Sequence, residues 1–136
     1  EFEGGREQVV SMLRDVLSNG LLSKSVHDLK RAVALDPRSA EAQNNLGVAL
    51  GRVGKGREAH KYFLEAARLR PDYAEAQFNL AMSFLNRGDR DAVRNQLVVL
   101  ERLDSGLTAQ LKKHFLQPFV VDAAQVEADL LKPKKN

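Results

Sequence analysis

The chain has no cysteine in its 136 residues. That excludes disulfides, thiolate nucleophiles and sulfur-ligated zinc. It does not fix a compartment, because a cysteine-free chain survives in cytosol and periplasm alike; cytoplasm is the default expectation. No apolar run approaches the roughly 20 residues that span a bilayer. The opening Glu1-Phe2-Glu3-Gly4-Gly5 lacks the basic cluster and apolar stretch of a secretory signal. Residues 1–5 read as a cloning scar or flexible lead, which would leave the native N-terminus elsewhere. Charge of one sign is also scarce. A formal net charge of +3 is a weak basis for holding nucleic acid.

What is present is 43% hydrophobic and 29% charged, the composition of an ordinary folded domain. The strongest signal is internal repetition, which decides the fold wherever it occurs. Ala40-Glu41-Ala42-Gln43 returns as Ala74-Glu75-Ala76-Gln77, 34 positions on, and Asn45-Leu46 returns as Asn79-Leu80. Gly20, Gly54 and Gly88 keep the same spacing, as do Pro37 and Pro71, with Ser105 in the third place.

Between these marks the apolar residues step by three and four, as on one face of a helix. Ala42, Leu46, Ala49 and Leu50 form one run, and Ala59, Phe63, Ala66 and Ala67 the next. Proline cannot continue a helix. Each unit therefore reads as helix, tight glycine turn, helix, proline-marked turn. Two closely packed helices need small residues where they cross, since side-chain volume sets an interaxial distance of roughly 8–10 Å. Gly47, Ala59, Ala66 and Ala81 are suited to the crossing, with Leu46, Phe63, Leu80 and Phe84 around it and Pro71 marking the turn.

With these residues the chain resembles the tetratricopeptide repeat family over about 100 positions. The resemblance implies an all-α, right-handed α-solenoid of antiparallel helix pairs. The units are residues 6–39, 40–73 and 74–105, followed by a capping helix over 106–117 and a short helix with a basic tail over 118–136. The first unit diverges most: Leu13 and Ser25 stand where small residues are usual. Larger residues there should force its helices apart or change their angle. One helix pair cannot bury its own apolar face, so neighbours must stack on it and a lid must close the end. Leu107, Leu111 and Phe115 give residues 106–117 the face of such a lid.

The resemblance also implies a concave groove lined by the first helix of each unit. Its wall would be Glu7, Val10, Ser11, Arg14 and Leu17, then Glu41, Asn44, Asn45, Val48 and Gly51, then Glu75, Phe78, Asn79, Met82 and Leu85. Asn45 and Asn79 can each donate to and accept from a ligand's backbone, or else brace a neighbouring helix. Phe78, Met82 and Leu85 form a second apolar stripe on a helix whose core face is already supplied by Ala76, Leu80, Ala81 and Phe84. Such a stripe needs a partner. Val10, Leu17 and Val48 extend it into a trough for an amphipathic helix or apolar segment. Alternatively the lid helix, or the segment 119–131, covers it. Some family members clamp acidic chaperone tails with basic residues here, but Glu75 and Asn79 stand where Lys and Arg would be wanted.

No catalytic, metal or cofactor constellation is legible. His27, His60 and His114 lack a partner histidine at helical spacing, and the first two are expected to face solvent. Gly51, Gly54 and Gly56 lack the lysine-serine ending of a phosphate loop and read as a helix turn. Arg52, Lys55, Arg57, Lys61, Arg68 and Arg70 interleave with Glu58, Glu65 and Asp72. They read as a solvated face, or alternatively as a dock for an acidic partner or RNA. No aromatic is placed among them to stack bases. The expected function is a module or scaffold binding a peptide or protein. The rivals are self-assembly, with the groove filled by the C-terminal segment of a neighbouring copy, and an accessory domain of a larger enzyme.

Overall fold

The computed structural model describes residues 2–116, apart from the side chains of 2–4, 15–19 and 22. The expected short helix and basic tail over 118–136 lie outside that range. Six helices follow one another: α1 (Phe2–Leu35), α2 (Ala40–Arg52), α3 (Gly56–Leu69), α4 (Ala74–Asn86), α5 (Arg90–Leu103) and α6 (Ser105–Leu116). Among the described residues there is no strand, and each helix packs on the one before it. The result is an all-α solenoid.

The 34-residue period is written into the backbone as well as the side chains. Lys55 N donates to Leu50 O at 2.9 Å, and Asp89 N donates to Phe84 O at 3.0 Å. These six-to-one bonds are the helix-ending device that requires a left-handed residue at the turn. Gly54 (φ 83°) and Gly88 (φ 76°) supply it. At the other turn, Gln43 Nε2 donates to Pro37 O at 3.1 Å and Gln77 Nε2 to Pro71 O at 3.0 Å. Both glutamines are buried. Each clamps the proline turn to the helix that follows, so the conserved spacing of Pro and Gln within this chain has a polar cause. Side-chain caps at Ser39, Asp89 and Asp104 start α2, α5 and α6, each contributing about 1 kcal/mol.

The first unit departs from the expected pattern. α1 runs unbroken from Phe2 to Leu35, straight through Gly20. Two features of the sequence account for this. Gly20 is followed by the helix formers Leu21-Leu22, whereas Gly54 is followed by Lys55-Gly56 and Gly88 by the capping Asp89. Leu13, at the position of Gly47 and Ala81, leaves no room for a close crossing, and it is exposed. Only the later part of α1 joins the core, through Val26, Leu29 and Val33. Val9, Val10, Met12, Leu13 and Leu21 are exposed.

Two apolar clusters form the interior. The first gathers Val26, Leu46, Leu50, Ala59, Phe63 and Leu80; the second gathers Ala81, Val93, Leu100, Leu111 and Phe115. Phe84 packs against both. Gly47 faces the Phe63 ring so closely that a Cβ there would lie 2.6 Å from Cε1. In the next unit the same pair is Ala81 and Leu97, where the crossing residue gains a methyl and the facing residue loses ring volume. Leu107, Leu111 and Phe115 of α6 close the second cluster. The Arg90 guanidinium lies 4.2 Å from the Phe115 ring centroid and donates to Phe115 O at 3.3 Å.

His60 corrects the expectation of solvent exposure: it is 7% exposed, between α3 and α4. Its Nδ1 is 2.7 Å from Ser83 Oγ, and its ring meets Phe84 edge-on at 4.9 Å. The second helix of a unit packs against the first helix of the next, and position 60 falls on that face. Burial, and then the nearby Arg87 charge, lower the His60 pKa from 6.5.

Two outcomes follow from this packing. Gly47→Ala should lower the unfolding free energy by about 1–3 kcal/mol, the usual range for overpacking. Adding Phe63→Leu, which copies the next unit, should recover part of the loss. Urea unfolding of both variants tests this, and equal midpoints for Gly47→Ala and the parent would contradict it. For His60, the unfolded state binds the proton more readily, so stability should fall as pH drops below about 6.5. His60→Gln should flatten that part of the stability–pH curve; an unchanged slope would mean the decline arises elsewhere.

Candidate functional site

The expected groove residues sit mainly on α2 and α4, the first helices of successive units, beside the lid helix α6, with α4 touching both others. The expected groove residues fall into three groups. On α2, Asn45 is exposed and Val48 is half-buried against the first cluster. Asn44 is fully buried and cannot offer its amide to a ligand, contrary to expectation. Its Oδ1 accepts from Asn79 Nδ2 at 3.0 Å. Asn79 therefore braces α2 against α4, one of the two roles its amide allows.

On α4, Phe78, Met82 and Leu85 are half-buried and pack against the second cluster together with Leu107. The partner that this stripe demanded is in part the lid helix. On α1, Val10 and Arg14 lie with Arg6, Glu7 and Ser11 around a local depression. They are not brought together with the α2 and α4 residues, because α1 does not fold back at Gly20. The Leu17 side chain lies outside the described residues. Of the residues expected to line a trough across three units, those on α2 and α4 lie side by side with α6, and those on α1 do not join them.

An open depression lies where α4 and α6 begin. A cleft of about 660 Å³ is lined by Phe78, Leu107 and Tyr73 beside Glu75, Asp72 and Asp104, with Arg70 at the edge. Arg70 stacks over Tyr73 at 4.7 Å and pairs with Glu41 at 3.6 Å and Asp72 at 3.9 Å. Asp104 Oδ1 is held as the cap of α6. Glu75 is exposed and has no ion-pair partner among the described residues. Burial raises the Tyr73 pKa, and the Glu75 charge adds to it. The surface therefore offers apolar and aromatic area next to excess negative charge. Sequence spacing located Phe78 and Glu75. It missed Tyr73 and Arg70, because their placement depends on how the proline turn folds.

No group of three or more His, Asp or Glu among the described residues could hold a metal ion. None of the described helices is long and apolar enough to cross a membrane.

Known proteins share this architecture. The tetratricopeptide repeat family matches residues 12–52 and 49–92. The TPR repeat-containing thioredoxin TTL4 of Arabidopsis thaliana is 38% identical over 69 residues, which is 51% of this chain and 10% of that protein. The inactive TPR repeat-containing thioredoxin TTL3 of the same plant is 30% identical over 67% of this chain and 13% of its own length. A peroxisomal targeting signal receptor of Candida albicans is 30% identical over 52% of this chain and 12% of the receptor. The chain thus spans about a tenth of the length of these relatives. Among solved structures, the Yersinia enterocolitica type III secretion translocator chaperone SycD superposes with a TM-score of 0.64 at 15% identity, covering 84% of this chain and 86% of that one. With its 34-residue period, its glycine and proline turns and its small-residue crossings, this chain belongs to the tetratricopeptide repeat family.

Proposed function

We propose that this chain is a protein-binding module whose inner face receives a polypeptide segment with an apolar anchor flanked by basic residues. The observation that carries the reading is the cleft at the start of α4, where Phe78, Tyr73 and Leu107 adjoin Glu75 and Asp72. An apolar side chain entering it gains by leaving water. A neighbouring Lys or Arg is attracted by the unpaired Glu75, which gives orientation and speeds encounter. An acidic tail would meet repulsion at the same place. Nothing in the arrangement resembles a nucleophile with its base, so the role is binding rather than catalysis. The match to a targeting signal receptor supports a polypeptide as the thing held.

The test is a titration with a fluorescein-labelled amphipathic peptide carrying leucines at i, i+3 and i+7 and lysines at the flanks. Glu75→Lys, an exposed change, should weaken binding at least tenfold, about 1.4 kcal/mol, while the melting temperature stays at the parent value. Phe78→Ala should weaken it similarly. Unaltered affinity in both variants would refute the groove reading.

A second reading rests on α1, whose exposed Val9, Val10, Met12 and Leu13 form an apolar stretch of the kind that pairs chains. Self-association through it, or through the C-terminal segment, predicts a mass that rises with concentration; a monomer at high concentration removes this reading.

A further inference from the structure

Two of the basic residues of the middle unit are paired with carboxylates. Arg68 pairs with Glu65, and Arg70 pairs with Glu41 and Asp72. Lys55, Arg57 and Lys61 have no carboxylate partner among the described residues, and neither does Arg87 of the following turn. These four line a single cleft of about 1220 Å³, at the C-terminal end of α4 and the start of α3. The one carboxylate on its wall, Glu58, is held by Lys30 of α1 at 3.3 Å. Ser83 and Asn86 add neutral hydrogen-bonding groups.

The start of α3 adds to this positive field. Its preceding residue is Lys55, whose side chain has no acceptor to offer, and no side chain caps the helix. The amides of Gly56, Arg57 and Glu58 have no acceptor among the described residues. Free amides at a helix start favour an anion. The depressed pKa of His60, behind Ser83, is partly caused by Arg87 and reports the same local field.

We propose that this cleft is a second binding site, which takes a short acidic segment of a protein partner. Four unpaired cations within one cleft match a run of two to four carboxylates, and Arg57 and Arg87 can each hold a carboxylate through two parallel bonds. Nucleic acid fits less well. No aromatic lines the cleft to stack a base, and the cations are confined to it rather than drawn out along a backbone track. The site is separate from the acidic groove. α4 carries Glu75 and Phe78 on the groove at its start and Asn86 on the basic cleft at its end. A partner with a basic apolar segment and an acidic one could engage both.

Fluorescence anisotropy with a fluorescein-labelled peptide of four glutamates flanked by glycine and serine tests the site, with inorganic phosphate and a single-stranded RNA octamer as competitors. Saturable binding is expected. It should weaken at least tenfold in Arg57→Glu combined with Arg87→Glu, persist in Glu75→Lys, and perturb the amide resonances of Gly56, Arg57 and Glu58. Both arginines are exposed, so unchanged helical circular dichroism should accompany the loss. A neutral double variant, Arg57→Gln with Arg87→Gln, should give an intermediate loss. Absence of saturable binding overturns the proposal, as does affinity indifferent to these substitutions. Displacement by the RNA at lower concentration than the unlabelled peptide, or by phosphate alone with equal avidity, overturns the assignment to an acidic protein segment. Failure of the groove peptide with success here would leave this site standing alone.

Discussion

The whole solenoid depends on how near two helices can come at a single crossing. Gly47 lies so close to the Phe63 ring that one added carbon would overlap it. That approach sets the spacing within the unit. The third unit reaches a comparable fit with a different pair, Ala81 and Leu97. Volume is shared between the two partners, and neither residue is required for its own sake. Where the crossing position is Leu13, no hairpin forms and the chain continues as one rod.

Much of this was legible in the residues. The spacing of Gly54 and Gly88 marks the tight turns, and both have the positive φ that such turns need. The apolar steps of α2 to α4 marked the faces now buried. The unbroken α1 was not legible from periodicity, because Gly20 keeps the period while two leucines follow it and Leu13 stands where a small residue is needed. Period locates a candidate turn, but local volume and the residues that follow the glycine decide whether it forms. The amides show the same limit. Asn44 and Asn45 are neighbours in sequence, yet helical rotation sends one into the interior and leaves the other in solvent. His60 was misread for the same reason, since its burial comes from α4 rather than from its own helix.

Charge is organised along the fold as well as spread over it. The start of α4 lies among Asp72, Glu75 and Asp104, and its end lies near Arg87, Lys61 and Arg57. Carboxylates at a helix start and cations at its end both complement the helix dipole, so the polarity stabilises α4 before any ligand arrives. The net charge of +3 conceals this separation entirely. Composition argued against nucleic acid; only the ion-pair geometry shows which cations remain available.

The glutamine clamps carry a consequence for how such a chain can grow. Gln43 grips Pro37 and Gln77 grips Pro71, so each bond joins the end of one unit to the beginning of the next. A tandem duplication of residues 40–73 would present every proline with a glutamine again. The Asn79–Asn44 brace would survive too, because Asn45 occupies the matching place in the copied segment. Of these inter-unit polar contacts, the His60–Ser83 bond alone would be missing at the new junction, since Ala49 stands where Ser83 would be needed. Lengthening by gene copying therefore leaves the polar wiring nearly intact, and the array is open to extension from its middle.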